Sequence, residues 1–317
     1  MNISTRINKI LSKKLNIIFF FFLLVCFLSR LDTQFFIIDI LGQLSFFVLI
    51  SGILFFFILL ILNRLRASIF CFLVCILLTL DISLSCNQCN SFLNDKSKNY
   101  NKIRLLIFNT GLIKDFKNMK ELILFEKPDI IQFQEVSSEM QNKIKSLNYF
   151  FPYNTEINKS MHRFDSIIFS KYPLKNHPIE DEDNHAILTT LILNNSELNV
   201  AGIHLRNSLN QADYNLAIKG MEYLKTLVKN TNGNLIVIGD LNMTPTSKRF
   251  ANFLRETNLY TYTSYKHPTF TWPAFLPSYF GIQIDHVLFS KNFKVIGKKT
   301  ANHFGSDHRP LIVDLAY

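Results

Sequence analysis

The sequence predicts a mixed α/β sandwich carried behind an N-terminal region of about three membrane-spanning helices. Three apolar runs fall within the first 85 of the 317 residues, and the remainder reads as globular sequence. From residue 103 onward, short β-rich runs alternate with amphipathic helical stretches. Some of these strands follow one another with no helix between, which excludes a doubly wound parallel sheet.

Composition agrees. With 48% hydrophobic and 18% charged residues, the chain is neither purely soluble nor disordered in character. The contrast of 31 Phe with 10 Gly excludes collagenous, Gly/Ser-linker and solenoid classes, and five Cys are too few for a disulfide scaffold. A formal charge of +10 suits acidic partners, phosphate groups or anionic lipid, without choosing between them.

Residues 1–89 form the expected membrane anchor, with spans at about 15–29, 35–62 and 67–85. The middle run is interrupted by Asp39, Gln43 and small hydroxyl residues, and is long enough to cross the ~30 Å hydrocarbon core with tilt. The first run is short. It follows Arg6, Lys9, Lys13 and Lys14 as a signal sequence does, but no small-x-small cleavage site follows, so it reads as an uncleaved signal anchor. With three spans, those four cations and the Arg64/Arg66 pair lie on the cytoplasmic side, which places the C-terminal part outside an inner membrane, in the periplasm. If the first run does not span, the parity flips and that part is cytoplasmic. Asp39, near the outer end of its run, reads as an interfacial carboxylate. Cys86 and Cys89 follow the last span with no second pair or His partner, so a structural or incidental role is expected for them.

Residues 90–102 are polar and aperiodic, a linker, and residues 103–317 are long enough for one domain with a large core. Ile103 opens an apolar strand. Phe116, Met119, Leu122 and Ile123 have helical spacing, and Ile130 begins a second buried strand. Strands at 166–169, 186–193, 198–203 and 235–238 follow. Tyr214, Ala217, Met221, Leu224 and Leu227 mark the longest helix of the domain, and Phe250, Phe253 and Leu254 a shorter one. Strands at 284–289, 293–296 and 311–315 end the chain.

Polar residues close these strands repeatedly: Asn109, Gln134-Glu135, His204, Asp240 with Asn242, Asp285-His286, and Ser306-Asp307-His308 before the last strand. One Asp or Asn after a strand is a turn residue or helix cap. Six such ends in one domain point to side chains converging on a shared site. Glu135 and Asp307 are hard oxygen ligands suited to Mg²⁺ or Mn²⁺, Asn109 can complete the shell, and Cys and clustered His are too few for zinc. Such a cation polarises a phosphoryl oxygen and stabilises a leaving alkoxide. Asp285 can hold His308 in one tautomer, and Asp240 can orient or activate water.

In order, the motifs are Leu105-Leu-Ile-Phe-Asn-Thr-Gly, Pro128-Asp-Ile-Ile-Gln-Phe-Gln-Glu135, Ile167-Ile-Phe-Ser-Lys-Tyr-Pro-Leu174 and Val200-Ala-Gly-Ile-His204. Ile236-Val-Ile-Gly-Asp-Leu-Asn-Met-Thr-Pro245, Ile284-Asp-His286 and Gly305-Ser-Asp-His-Arg-Pro310 complete the set. The series resembles the endonuclease/exonuclease/phosphatase superfamily, the fold of deoxyribonuclease I, apurinic endonucleases, neutral sphingomyelinases and inositol polyphosphate phosphatases. With the N-terminal anchor and Thr271-Trp-Pro273, it is similar to a membrane-bound bacterial branch. The resemblance implies a four-layered sandwich, two packed mixed sheets flanked by helices, with Mg²⁺ or Mn²⁺ as cofactor. It implies Glu135 as principal metal ligand with Asn109 and Asp307 nearby, Asp240 positioning or deprotonating water, and Asn242 binding phosphoryl oxygens. His204 and His308 would contact the phosphate, Asp285 would pair with His308, and Gln134 and Ser306 would support. His286 should face away from Asp285 as a packing histidine. Two positions depart from the pattern: Gly111, where many relatives have Asn or Asp, and Asp165, where they often have Gly or Asn.

Three functions follow as expectations. The first is a metal-dependent phosphodiesterase acting on DNA or RNA, although no stripe of basic residues with interleaved aromatics is present. The second is hydrolysis of a phospholipid or small phosphoester at the membrane surface, suggested by tethering and by the apolar segment Pro273-Ala-Phe-Leu-Pro-Ser-Tyr-Phe280. The third is an inactive, membrane-anchored binding module. Beyond a phosphoester substrate and the bilayer, the sequence implies no protein partner.

Overall fold

A computed structural model describes residues 3–85, 87–89, 100–155, 166–177, 186–193, 196–263, 268–277 and 279–317, with side chains from residue 13. Asp165, Cys86 and residues 90–99 of the expected linker lie outside the described residues.

Eleven described strands form two mixed sheets. The six-stranded sheet runs β10-β11-β1-β2-β4-β3, from β1 (Lys102–Asn109), β2 (Ile130–Gln134), β3 (Tyr153–Asn154), β4 (Ile167–Ser170), β10 (Lys294–Thr300) and β11 (Leu311–Ala316). The five-stranded sheet runs β5-β6-β7-β8-β9, from β5 (Leu174–Asn176), β6 (Ile187–Leu193), β7 (Ser196–His204), β8 (Leu235–Asp240) and β9 (Asp285–Phe289). Each sheet holds one parallel pair, β1 with β2 and β7 with β8, and the other pairings are antiparallel. A parallel pair needs a crossover, and both crossovers contain a helix: α5 (Phe116–Glu126) and α7 (Gln211–Asn230). Both parallel pairs therefore release the chain at the same kind of place, the C-terminal strand ends. In register, Asn109 stands beside Gln134 and His204 beside Asp240.

Alternation decides the layers. Between the sheets pack Leu105, Ile107, Ile130, Val200, Ile236, Ile238, Val287 and Val313. The opposite faces pack on helices: Leu106, Phe108, Ile131 and Phe133 on α5 and α6 (Ser138–Ile144), and Ala201, Ile203, Leu235 and Val237 on α7 and α8 (Lys248–Thr257). Burying each such Leu, Ile or Phe stabilises by about 1.5–3 kcal/mol. The helices start at side-chain caps: Asp115 accepts from the Asn118 amide, Ser137 from Met140, Asn210 from Asp213 and Ser247 from Phe250. The short pieces α6, β3 and β5 were absent from the sequence expectation. α6 buries only Met140 and Ile144, a single i,i+4 pair that makes no period.

The N-terminal region is helical: α1 (Ile3–Leu28), α2 (Phe36–Gln43), α3 (Ser45–Ile61) and α4 (Leu65–Ser85). Among the described residues one helix, α4, is long and apolar enough to cross a membrane, and α2 with α3 would add a second. That is fewer than the three spans expected. The run at 35–62 is also not one straight helix, because it breaks at Leu44 and bends by 66°. The break coincides with polar contacts: the Gln43 carbonyl accepts from the hydroxyls of Thr244 and Thr246, drawing α2 against the sandwich. The side chain of Asp39, expected as an interfacial carboxylate, is buried against the domain and pairs with Arg249 of α8 at 2.9 Å. The expected linker also ends earlier than read, since Lys102 already belongs to β1. Cys89 is disulfide-bonded and buried.

Candidate active site

The predicted residues come together at the C-terminal ends of the two parallel pairs. Asn109 closes β1, and its Nδ2 donates to Glu135 Oε1 at 3.1 Å and to Asp240 Oδ2, across the sandwich, at 3.4 Å. His204 closes β7, with Nε2 3.7 Å from both Glu135 Oε1 and Asp240 Oδ2. Asp240 closes β8. Its Oδ1 accepts from the Asn242 amide at 2.8 Å, and its Oδ2 lies 3.7 Å from His308 Nε2. Asp285, at the start of β9 and paired in register with Asp240, accepts from His308 Nδ1 at 2.9 Å. Ser306 ties the last loop to β1, donating to the Asn109 carbonyl at 2.8 Å and accepting from the His308 amide at 3.0 Å. Trp272 Nε1 donates to Asp307 at 3.3 Å. A cleft of about 360 Å³ is lined by Glu135, His204, Asp240, Asn242, Asp307 and His308, joined by Arg206, Trp272, Ile40 and Gln43.

Backbone strain gathers here. Glu135 and Asn242 have positive φ, at 51° and 49°, although neither is Gly. Gly239, φ 140°, precedes Asp240, and a Cβ there would lie 1.8 Å from the Ile203 carbonyl oxygen, so only Gly lets β8 pass β7 at this point.

Electrostatics divides the groups. Burial opposes charge on His308, but Asp285, reinforced by Asp240 and Asp307, outweighs it and raises His308 to about 10. Burial also opposes charge on Asp285, yet the His308 cation holds it below the ordinary carboxylate range. Burial, with the adjacent Asp285 carboxylate, pushes Asp240 up to about 8. His286 behaves differently. Its Nε2 meets the Met243 carbonyl at 2.8 Å and must donate, its Nδ1 faces the Gln283 amide at 3.2 Å, and its ring lies on Phe250 at 4.6 Å. Burial lowers it to about 3, so it is a neutral packing histidine on the face away from the site.

Asn109 Nδ2 and His204 Nε2 each lie between the Glu135 and Asp240 carboxylates. Those carboxylates are hard oxygen donors of the kind that fits a divalent cation of the Mg²⁺ or Mn²⁺ type, and Asn109, whose Oδ1 here accepts from the Gly111 amide, would join them through that oxygen with its amide turned over. Asp240, Asp285 and His308 also bring ligand-type atoms within 4.8 Å of one another. Gly111 takes on meaning here. A Cβ at that position would lie 2.4 Å from Glu135 Oε2, so the glycine leaves room for the Glu135 carboxylate as it stands.

Gln134 is fully buried, and its amide atoms have no hydrogen-bond partner among the described residues. Other residues contribute that the sequence does not single out for the site. Gln132 shares the inward face of β2 with Gln134 and reaches across to the Ile203 carbonyl at 3.3 Å; its signal is a Gln inside an otherwise apolar strand. Gln43 carries the same kind of signal, a Gln interrupting an apolar run, whereas nothing local marks Ile40, and Trp272 stands out only within its motif.

A two-sheet sandwich with polar strand ends converging on one cleft defines the deoxyribonuclease I-like class of α/β protein. The chain belongs to the Endonuclease/Exonuclease/phosphatase family, which matches residues 106–308. Similar solved structures include D. rerio TDP2 complexed with single-strand DNA product, at TM-score 0.53 and 12% identity, covering 68% of this chain and 99% of that one. Sphingomyelinase C from Streptomyces griseocarneus follows at TM-score 0.51 and 15% identity, covering 68% and 99%. A double mutant of beta toxin from Staphylococcus aureus, with bound magnesium ions, has TM-score 0.51 and 17% identity, covering 67% and 99%. At these identities the likeness shows the fold. No curated protein matches in sequence.

Proposed function

We propose that the chain is a divalent-metal-dependent phosphodiesterase, of nuclease type, tethered to the membrane by its N-terminal helices as in a membrane-anchored bacterial branch of the family. The observation that carries this is the convergence of Asn109, Glu135, His204, Asp240, Asp285 and His308 at one cleft. Glu135, Asn109 and Asp307 would hold the cation. The chemistry it supplies when bound is polarisation of a phosphoryl oxygen and stabilisation of the leaving oxygen. Asp240 orients water and accepts its proton. His308, kept charged and fixed in direction by Asp285, presents an N–H beside Asp240 to the phosphate, and His204 stands on the other side. Asn242 binds phosphoryl oxygens.

A second reading, hydrolysis of a phospholipid headgroup, is favoured by one observation. Trp272 lines the cleft, and Phe275, Tyr279 and Phe280 of the loop after it are exposed, Phe275 at 74%. The deciding experiment is hydrolysis by the full chain in detergent, with Mg²⁺ or EDTA, of duplex and single-stranded DNA, RNA, a sphingolipid or phospholipid and an inositol phosphate. Metal-dependent DNA or RNA cleavage supports the nuclease, turnover confined to lipid or small esters supports the second reading, and silence points to a binding module.

With α1 taken as a third span, we also propose that the domain lies on the periplasmic side of an inner membrane; with two spans it would be cytoplasmic. Arg6, Lys9, Lys13 and Lys14 in the N-terminal half of α1, and Arg64 with Arg66 at the start of α4, support this orientation. Lys143→Cys on exposed α6 should react with a membrane-impermeant maleimide in intact cells, and protection of that thiol would reverse the topology.

A further inference from the structure

The cleft has a wall that does not come from the sandwich. Ile40 and Gln43, on α2, line it together with Glu135, Asn242 and His308. Gln43 also grips the turn that follows β8. Its carbonyl accepts from Thr244 Oγ1 at 2.8 Å and from Thr246 Oγ1 at 3.2 Å, its Oε1 accepts from the Thr244 amide at 2.7 Å, and its Nε2 donates to the Asn242 carbonyl at 3.3 Å. From the opposite side His286 donates to the Met243 carbonyl. The turn is thus held at consecutive residues, 242 to 244, by two elements that are remote in sequence.

Asn242 has a φ of 49°, a left-handed conformation that Asn adopts more readily than other non-glycine residues, and its Nδ2 donates to the Leu205 carbonyl at 2.8 Å, so the contacts from Gln43 add to a turn already tied on the β7 side. α2 is itself fixed in register. The Asp39–Arg249 ion pair is buried on both sides, at 8% and 7% exposure. Arg249 also donates to Ser208 and lies over the Tyr214 ring, while Tyr214 donates to the Thr33 carbonyl before α2. Breaking one partner of such a pair strands a buried charge, so α2 has one seat on the domain.

We propose that Gln43 is a positioning residue of the active site, holding Asn242 and the turn after Asp240 in their working geometry, so that the N-terminal helices are part of the hydrolytic machinery as well as a tether. The proposal rests on the phosphodiesterase reading above for its kinetic consequence, but not for the clamp itself.

The test uses the full chain in detergent micelles with Mg²⁺ and bis(p-nitrophenyl) phosphate as the soluble probe. Gln43→Ala should lower kcat about tenfold, with KM moving less than about threefold. Gln43→Glu keeps an acceptor for the Thr244 amide but loses the donor to the Asn242 carbonyl and sets a carboxylate beside Asp39, so it should not recover the loss. Gln211→Ala, which removes a 2.9 Å contact from α7 to the Gln34 carbonyl at the same interface, should leave kcat unchanged. Amide hydrogen exchange over residues 241–247 reads the clamp without turnover, and should speed up in Gln43→Ala but not in Gln211→Ala. Unchanged exchange in Gln43→Ala overturns the proposal, as does a kcat loss shared equally by Gln211→Ala, or full activity in Gln43→Glu. If the wild-type chain hydrolyses nothing, the phosphodiesterase reading falls, while the exchange measurement still decides the clamp.

Discussion

The two walls of the cleft are built on different principles. The wall from β8, β9 and the loop before β11 is buried and self-bonded: Asp240 and Asp285 are each 1% exposed, His308 is 5% exposed, and each is within reach of another. The wall from β1 and β2 opens only at Glu135, whose side chain is 38% exposed on a backbone of positive φ, while Asn109 and Gln134 beside it are buried. Buried groups cannot rearrange cheaply when charge develops, so the first wall is preorganised for proton and phosphate handling. The open wall keeps carboxylate oxygens accessible to a cation and its waters. The difference predicts that substitutions on the buried side damage the chemical step, and that those on the open side shift the metal requirement.

The largest effect should come from Asp240→Ala, lowering kcat/KM by about a thousandfold or more. Unchanged hydrolysis would sink the mechanistic assignment. Asp285→Asn should come next, costing about a hundredfold in kcat, because His308 loses the partner that fixes its direction and charge.

Asp285→Asn also sharpens the comparison through pH. His308 and Asp240 are raised in the folded chain while burial lowers His286 to about 3 and Lys298 to about 7, so the folded state's excess of bound protons is concentrated between about 6.5 and about 8, and stability falls as pH rises through that window. The His308 share is fully present below its unfolded value near 6.5 and is lost as pH climbs through about 10. Thermal unfolding of metal-free protein should therefore show a Tm that declines between about pH 6.5 and 8, and a flatter profile in Asp285→Asn. Parallel profiles for the two proteins would mean that the pair is not ionised as described.

On the open wall, Glu135→Gln should raise the Mg²⁺ concentration for half-maximal activity about tenfold or more, with a smaller loss of kcat at saturating metal. A metal titration that matches wild type would move the cation elsewhere. The smallest effect concerns the face away from the cleft. His286→Phe leaves the Met243 carbonyl without its donor and should cost about 1–2 kcal/mol in denaturant unfolding, leaving the pH dependence of hydrolysis in place. A shifted pH profile would bring His286 into the site.

The neighbouring histidines show why some of this was legible. Asp285 and His286 are adjacent on one strand, and period-two alternation alone sends their side chains to opposite faces. The strand ends were legible for the same reason: apolar runs stop where the chain leaves the sheet, and the polar residue at each stop is visible in order along the sequence. The straight span at 35–62 was not, because apolar composition reports what a segment tolerates and not what it docks against.

What the sequence determined by itself is local: the strands and helices that carry a clear period, the apolar character of the first 85 residues, and the identity of the polar residue at each strand end. Tertiary structure alone decided which ends meet. Asn109 reaches Asp240 across 131 residues, Ser306 reaches the Asn109 carbonyl across 197, and Thr244 reaches Gln43 across 201. Such pairings are set by two sheets packing face to face and by a helix seating on the result, and contacts between distant residues leave no periodic trace in either partner's own segment.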